Sequence, residues 1–337
     1  MSWAAHLITE TELAADWPRT TGASTSGLGD AVRALLAQQQ RTWPQLSAAT
    51  AGLQQVEYKE FDLRGTRVLA QFNPQRIVST AAKVDAASIQ ARPCFLCAAN
   101  LPAEERGLAL GEHFVILCNP FPVLPEHLVI ASRAHTPQEL ANSLPALFDL
   151  TQALGPEFFT LYNGPRCGAS APDHLHFQAA ARAPLPIWQD VNQRQQARPS
   201  RWPDVDVFTL AEYRIRLLGA RSVNREALLA WFRHSLSALA QVTQTTEEPL
   251  LNVLATYEDG AWQILLLPRG RHRPACYDAE GTARLTISPA AIDLGGVLVV
   301  PQAEHFARLT EAVLTDIYAE VTLAEPVFKA WLRQLEQ

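Results

Sequence analysis

The chain has 337 residues, 48% of them hydrophobic and 18% charged, with a formal net charge of -6 at pH 7. That length suits two modest domains or one duplicated unit, and the composition excludes wholesale disorder. A nucleic-acid partner would need a broad basic face, so the acidic balance excludes one and requires any phosphate-binding cations to be local.

The start, Met1 to His6, lacks a basic segment followed by a long apolar run, and no stretch reaches the roughly 18 apolar residues of a membrane span. The expectation is a cytoplasmic protein with no membrane partner. Five cysteines (Cys94, Cys97, Cys118, Cys167, Cys276) fit reduced thiols and a possible metal site better than a disulfide framework. From Ser26 to Gln55 the chain reads as one or two helices. Residues 56–61 and 67–72 read as strands about Leu63-Arg64-Gly65-Thr66, with Gly65 supplying the turn.

Residues 113–118 and 127–131 are a further strand pair, joined by a proline-stiffened connection. A helix is expected to start at Thr136, with Pro137 in its first turn and Glu139 completing a capping box, and to reach Leu154 with a kink at Pro145. Residues 158–162 read as a strand and the next strand as beginning near His174, with the glycine-containing loop 163–172 between them. The polar, proline-rich stretch 184–203 reads as a connection between halves. Beyond it, residues 250–257 and 262–267 form a hairpin about Asp259-Gly260, and 296–300 precede a helix from about Glu304. Val297-Leu298-Val299-Val300 with its helix echoes Leu128-Val129-Ile130-Ala131 with its own, which suggests a degenerate internal duplication.

Two constellations carry chemistry. On a strand, His174, His176 and Gln178 share one face while Leu175 and Phe177 pack inward. A neutral imidazole in such a row can attack phosphorus, and a glutamine amide can donate to a phosphate oxygen. Any two histidines at this spacing can also be a structural pair. The loop ahead of them shifts the balance, because Gly168, Ala169 and Ser170 can bring backbone N–H groups and a hydroxyl to phosphate. The second constellation is Cys94-x-x-Cys97 with His135 and His174, which would close a tetrahedral structural zinc site. A redox pair is the other reading of the cysteines. Arg269, Arg271, His272 and Arg273 read first as a solvated turn, with reach to phosphates across the site as the other reading, and the same two readings apply to Asn73 and Arg76 after the first hairpin, which could touch base or phosphate. Asp173 reads equally as an acceptor that orients an imidazole and as part of a solvent-facing turn.

The segment from Asn163 to Gln178, ending in H-x-H-x-Q, resembles the galactose-1-phosphate uridylyltransferase branch of the histidine-triad superfamily, which includes diadenosine tetraphosphate phosphorylases and GDP-hexose phosphorylases. Locally, Gly168 to Ala179 looks closest to GDP-L-galactose phosphorylase. The resemblance runs from about Phe72 to Val300. It implies that His176 is nucleotidylated, that Gln178 contacts the transferred phosphate, that Asn163 and Ser170 lie near phosphate, and that Cys94, Cys97, His135 and His174 hold zinc. Glutamine rather than a third histidine at Gln178 goes, in that superfamily, with transfer instead of hydrolysis. The interval from Ser170 to His176 is one residue longer than in uridylyltransferases.

The expected fold is α+β and histidine-triad-like: two degenerate repeats with antiparallel sheets and packed helices. N-terminal helices and a hairpin occupy 1–85, the first half 86–185, a connection 186–205 and the second half 206–337. The expected function is a nucleotidyltransferase of the phosphorylase type. Its donor would be a nucleoside diphosphate sugar, GDP-hexose favoured, or a dinucleoside polyphosphate, and its acceptor inorganic phosphate. Alternatives are a sugar-phosphate acceptor, or a zinc-stabilised nucleotide-binding protein without turnover. A homodimer is compatible with the sequence.

Overall fold

Arg64 and Gly65 both adopt positive φ (59° and 69°), the backbone that a two-residue turn between right-twisted strands requires. They join β1 (Glu57–Asp62) to β2 (Arg67–Phe72) in an antiparallel pair. The same device, Asp259 and Gly260 at φ 53° and 76°, closes the expected second hairpin. In the computed structural model, which describes residues 2–16, 27–81 and 85–336, the chain continues through β3 (Leu108–Leu110), β4 (Phe114–Cys118), β5 (Leu128–Ser132), β6 (Phe158–Asn163) and β7 (His176–Ala181). β8 (Gln195–Ala197), β9 (Asp206–Leu210), β10 (Leu218–Ser222), β11 (Leu251–Glu258), β12 (Ala261–Pro268) and β13 (Val297–Val300) follow.

Ten of these strands form one sheet in the order β3-β4-β5-β7-β6-β11-β12-β10-β9-β8. Read from each outer edge inward, the order is β3-β4-β5-β7-β6 on one side and β8-β9-β10-β12-β11 on the other. Each half is a hairpin, a helix (Leu144–Leu154 or Arg225–Val242), and a second strand pair whose last strand slots beside the hairpin. The halves meet where β6 and β11 pair antiparallel. The fold is thus the α+β duplication the sequence suggested, but its equivalences differ: β10 is the counterpart of β5. Val297–Val300 instead pairs parallel to β2, in a separate three-stranded sheet. Its buried, β-branched run imitates β5 because both strands are covered on two faces, although Val297–Val300 lies at the edge of its sheet.

Two further expectations are corrected. The helix starts at Leu144, not Thr136, with Pro145 in its first turn, where a missing N–H is harmless, so Pro145 begins the helix instead of kinking it. Residues 136–140 are held extended because their backbone is used elsewhere: Thr136 O accepts from Leu175 N (2.7 Å), Gln138 N donates to Pro172 O (3.1 Å) and Leu140 N to Glu248 Oε2 (2.7 Å). The stretch 184–203 is not an open connection; it folds into the helix Ile187–Arg194 and the edge strand β8. In the N-terminal region the helices are Leu28–Thr42 and Pro44–Leu53, with Ser26 outside the described residues.

One face of the large sheet is covered by the helices 28–42, 144–154, 225–242 and 325–336 over Ile130, Phe177, Val253 and Leu266. The other face carries the small sheet and the C-terminal helices over Leu161, Leu254 and Leu265. In the first half that second face stays partly open and holds the site. No described helix is long and apolar enough to cross a membrane.

Candidate active site

A cavity of about 470 Å³ lies on the open face of the first half, between β4, β5 and β7 and segments of the second half. His176, the first residue of β7, is buried at its edge. Its ring Nδ1 lies 2.8 Å from the carbonyl oxygen of His174. A carbonyl can only accept, so Nδ1 carries the proton and Nε2 presents its lone pair to the cavity. Burial lowers the His176 pKa to about 4, so the ring is neutral at physiological pH.

Gln178, one strand position on, also lines the cavity. Its Oε1 lies 2.8 Å from Nε2 of His127. The His127 Nδ1 accepts from Val123 N (3.1 Å), so this neutral ring carries its proton at Nε2 and donates it to Gln178. Burial lowers the His127 pKa to about 3, which keeps that tautomer. With Oε1 occupied, the Gln178 amide N–H groups are left for the cavity. His127 was not read from the sequence as a site residue. Its position beside the proline-stiffened connection was the available signal.

The backbone of His176 is held by a second residue the sequence did not single out. Gln138 Oε1 accepts from His176 N (2.8 Å), and its Nε2 donates to the carbonyls of His176 and Asn163, each at 3.0 Å. Asn163 ends β6, and its Oδ1 accepts from Asn252 Nδ2 (2.8 Å) and Ala291 N (3.0 Å), which ties the first half to the second. Gly168 sits at φ 117° with Ala290 so near that an added Cβ would lie 2.7 Å from it. Asn163, Gly168, Ala169 and Ser170 all line the cavity together.

Arg76 reaches the cavity, donating to Phe121 O (2.8 Å). Burial lowers its pKa to about 10, with its Nε unpartnered among the described residues. Asn73 does not line the cavity. Its amide donates to Gln71 Oε1 (3.1 Å) and Pro122 O (3.3 Å), bracing the 119–127 connection from behind. In the basic run, Arg269 is fully buried and structural, donating to Asn252 Oδ1 (2.7 Å) and Pro289 O (2.9 Å), while Arg271 pairs with Glu320 at the surface. His272 and Arg273 line the cavity, so this turn is only partly solvated.

His174 separates from His176. It precedes β7 in the preceding turn, and its ring leaves the cavity for Cys94, Cys97 and His135. The four ligand atoms lie within 4.8 Å of one another. Cys94 Sγ is 3.3 Å from His174 Nδ1, and Cys97 Sγ is 3.3 Å from His135 Nδ1 and 3.6 Å from His174 Nδ1. Around tetrahedral zinc, bonds of about 2.3 Å to sulfur and about 2.0 Å to nitrogen put those atoms roughly 3.5 Å apart. His174 Nε2 donates to Ser132 O at 2.7 Å, which fixes the tautomer whose Nδ1 is free to ligate. The donor set and spacing therefore fit a metal ion. Asp173 pairs with Arg92 (2.9 Å) and approaches His135 Nε2 at 3.9 Å.

Residues 35–181 match the family model described as a domain of unknown function, DUF4922, and residues 189–335 match the GDPGP1-like C-terminal domain. The solved structure of yeast Ap4A phosphorylase Apa2 in complex with AMP superposes with a TM-score of 0.56 at 18% identity, over 86% of this chain and 96% of that one. The fold is histidine-triad-like. Residues 189–335 thus match a GDPGP1-like domain, and the chain as a whole shares the fold of the yeast enzyme. The complex of the same yeast enzyme with Ap4A superposes with a TM-score of 0.51 at 18% identity, over 84% of this chain and 97% of that one. No curated protein matches by sequence.

Proposed function

We propose that the chain is a phosphorylase working through a nucleotidylated His176. The single observation that carries this reading is the Nε2 of His176, neutral, tautomerically fixed by the His174 carbonyl, and open to a cavity that the Gln178 amide also faces. His176 Nε2 attacks the α-phosphorus of a nucleoside diphosphate sugar, GDP-hexose favoured, or of a dinucleoside polyphosphate. The P–N bond forms as the bridging P–O bond breaks, and sugar 1-phosphate, or from a dinucleoside polyphosphate the remaining nucleoside polyphosphate, leaves. Inorganic phosphate then attacks the same phosphorus, the P–N bond breaks, and nucleoside diphosphate departs with the imidazole neutral again.

Both leaving groups suit this site. A phosphate ester departs as an anion without needing a proton, because its second pKa is near 6. A glutamine, which stabilises charge but transfers no proton, is therefore sufficient where a hydrolase would need an acid. The positive charge that develops on the imidazole is stabilised by the His174 carbonyl at Nδ1–H. Gly168, Ala169, Ser170 and Asn163 would cradle the phosphate oxygens, with Arg76 and Arg273 as local cations.

Cys94, Cys97, His135 and His174 would hold zinc, which supplies a rigid cross-link and no chemistry. Since His174 O orients the His176 ring, anchoring His174 anchors the nucleophile. The test is turnover: GDP-glucose with inorganic phosphate should yield GDP and glucose 1-phosphate by phosphorus NMR. Phosphate-independent release of GMP would instead indicate hydrolysis and remove the phosphorylase reading.

A further inference from the structure

Glu105 is 5% exposed and lines the same cavity, yet its carboxyl makes no hydrogen bond or ion pair with any described residue. Only its main chain is engaged: N donates to Pro102 O (3.1 Å) and O accepts from His6 Nδ1 (2.8 Å). Buried carboxylates without partners are destabilising, and one that faces a cavity is left for a ligand to satisfy. Burial pushes its pKa up to about 8.

Its place relative to the reactive end identifies the ligand group. Gln178 pairs with Val129 and Val129 with Leu117, a row that crosses three strands from the reactive end of the cavity to β4, and Glu105 lies just before β3, the strand on the outer side of β4. Strands lie about 4.8 Å apart, so the row spans roughly 10 Å. That is comparable with the reach from an α-phosphate across a ribose to a base. Val129, Leu117, Leu96 and Trp43 make the surroundings apolar, as an aromatic ring requires.

We propose that Glu105 selects the base of the nucleotide, its carboxylate accepting the N1–H and exocyclic N2–H of guanine. The inference rests on the nucleotidyl reading above. Guanine presents two adjacent donors on that edge, which match a carboxylate's two oxygens and form charge-assisted bonds. Adenine presents an acceptor at N1 and a donor at N6, so it suits the carboxyl only in its protonated form, where both bonds are between neutral groups. The guanine pair is the stronger, and its two donors hold the carboxyl ionised.

Glu105→Gln separates the two bases, because its amide offers one donor and one acceptor, the complement of adenine, and cannot accept both N1–H and N2–H of guanine. The probes are GMP and AMP, measured by calorimetry, which reads base choice independently of catalysis. Wild type should bind GMP at least tenfold more tightly than AMP. Glu105→Gln should lose about 100-fold for GMP and hold or gain affinity for AMP, a change typical of leaving a buried donor facing a donor. Its thermal midpoint should match or exceed the wild type, since an unpaired buried carboxyl is removed. Equal binding of the two nucleotides by wild type, or an unchanged GMP to AMP ratio in Glu105→Gln, overturns the assignment. Failure of the nucleotidyl reading alone would show differently: base selectivity intact, with no covalent product from GDP-glucose.

Discussion

Replacing Gln138 with leucine should loosen the catalytic strand without touching any atom of the substrate. The Gln138 side chain makes three hydrogen bonds, one from His176 N and two to the carbonyls of His176 and Asn163. All lie in a buried seam between β6 and β7. Leucine keeps the volume and removes every partner. At a net ~1 kcal/mol per hydrogen bond, with buried groups left unsatisfied, the loss should be roughly 3 kcal/mol of folding stability. A displacement of the His176 imidazole near 1 Å should slow nucleotidyl transfer by about 100-fold. Urea denaturation, with the midpoint and slope compared against wild type, reads the first effect, and the single-turnover rate of adduct formation reads the second. A Gln138→Leu protein within about 0.5 kcal/mol of wild type and with an unchanged single-turnover rate would refute the reasoning.

Other outcomes follow from the same geometry. His127→Phe keeps a ring but removes the donor to Gln178 Oε1, so adduct formation should slow by about 10- to 100-fold with little change in nucleotide affinity; an unchanged rate would show that Gln178 needs no orienting. Gln178→Glu places an anion beside the transferred phosphate and should slow the reaction more than Gln178→Ala does. The buried neutral rings of His127 and His176 have folded pKa values of about 3 and about 4, below the unfolded value near 6.5. Unfolding must therefore take up protons below pH 6.5. Stability should be pH-independent from these groups above about 6.5 and fall as pH drops toward 4, by on the order of 3 kcal/mol for His176 alone. Denaturation midpoints at pH 7.5, 6 and 5 that coincide would contradict that burial. Purified protein should carry one zinc per chain, and Cys94→Ser with Cys97→Ser should lose the metal and lower the thermal midpoint; full zinc occupancy in that variant would displace the assigned ligands.

Local signals made much of this legible before any coordinates. The turns at Arg64-Gly65 and Asp259-Gly260, the strands around them and the Cys94-x-x-Cys97 pair all depend on residue type and short spacing. The chain also showed its internal duplication, but the match of Val297–Val300 to Leu128–Ala131 was misleading. Apolar β-branched runs look alike wherever a strand is buried on both faces, and only pairing distinguishes the sheet they join. The Thr136 cap signal failed because tertiary bonds from Leu175, Pro172 and Glu248 claimed the backbone groups that a helix would have used.

At the site, alternation along a strand put His176 and Gln178 on one face but could not show that the strand begins at His176, freeing His174 to turn toward the cysteines. His127 and Gln138 were missed for a shared reason. Each acts through a partner distant in sequence, Gln178 at 51 residues from His127 and His176 at 38 from Gln138, and no local pattern marks them. Glu105 carries no signal except that its unpartnered carboxyl lies beside Leu96, Leu117 and Trp43 in the cavity wall, which is visible only when the wall is assembled.

Covalent chemistry at His176 is tested most directly by intact-protein mass spectrometry after incubation with GDP-glucose in the absence of acceptor. A mass increment of one GMP should appear, map to the peptide containing His176, be absent in His176→Ala, and disappear on addition of inorganic phosphate. A wild-type protein that releases glucose 1-phosphate without ever carrying the increment, or that carries it on another residue, would contradict nucleotidyl transfer through His176.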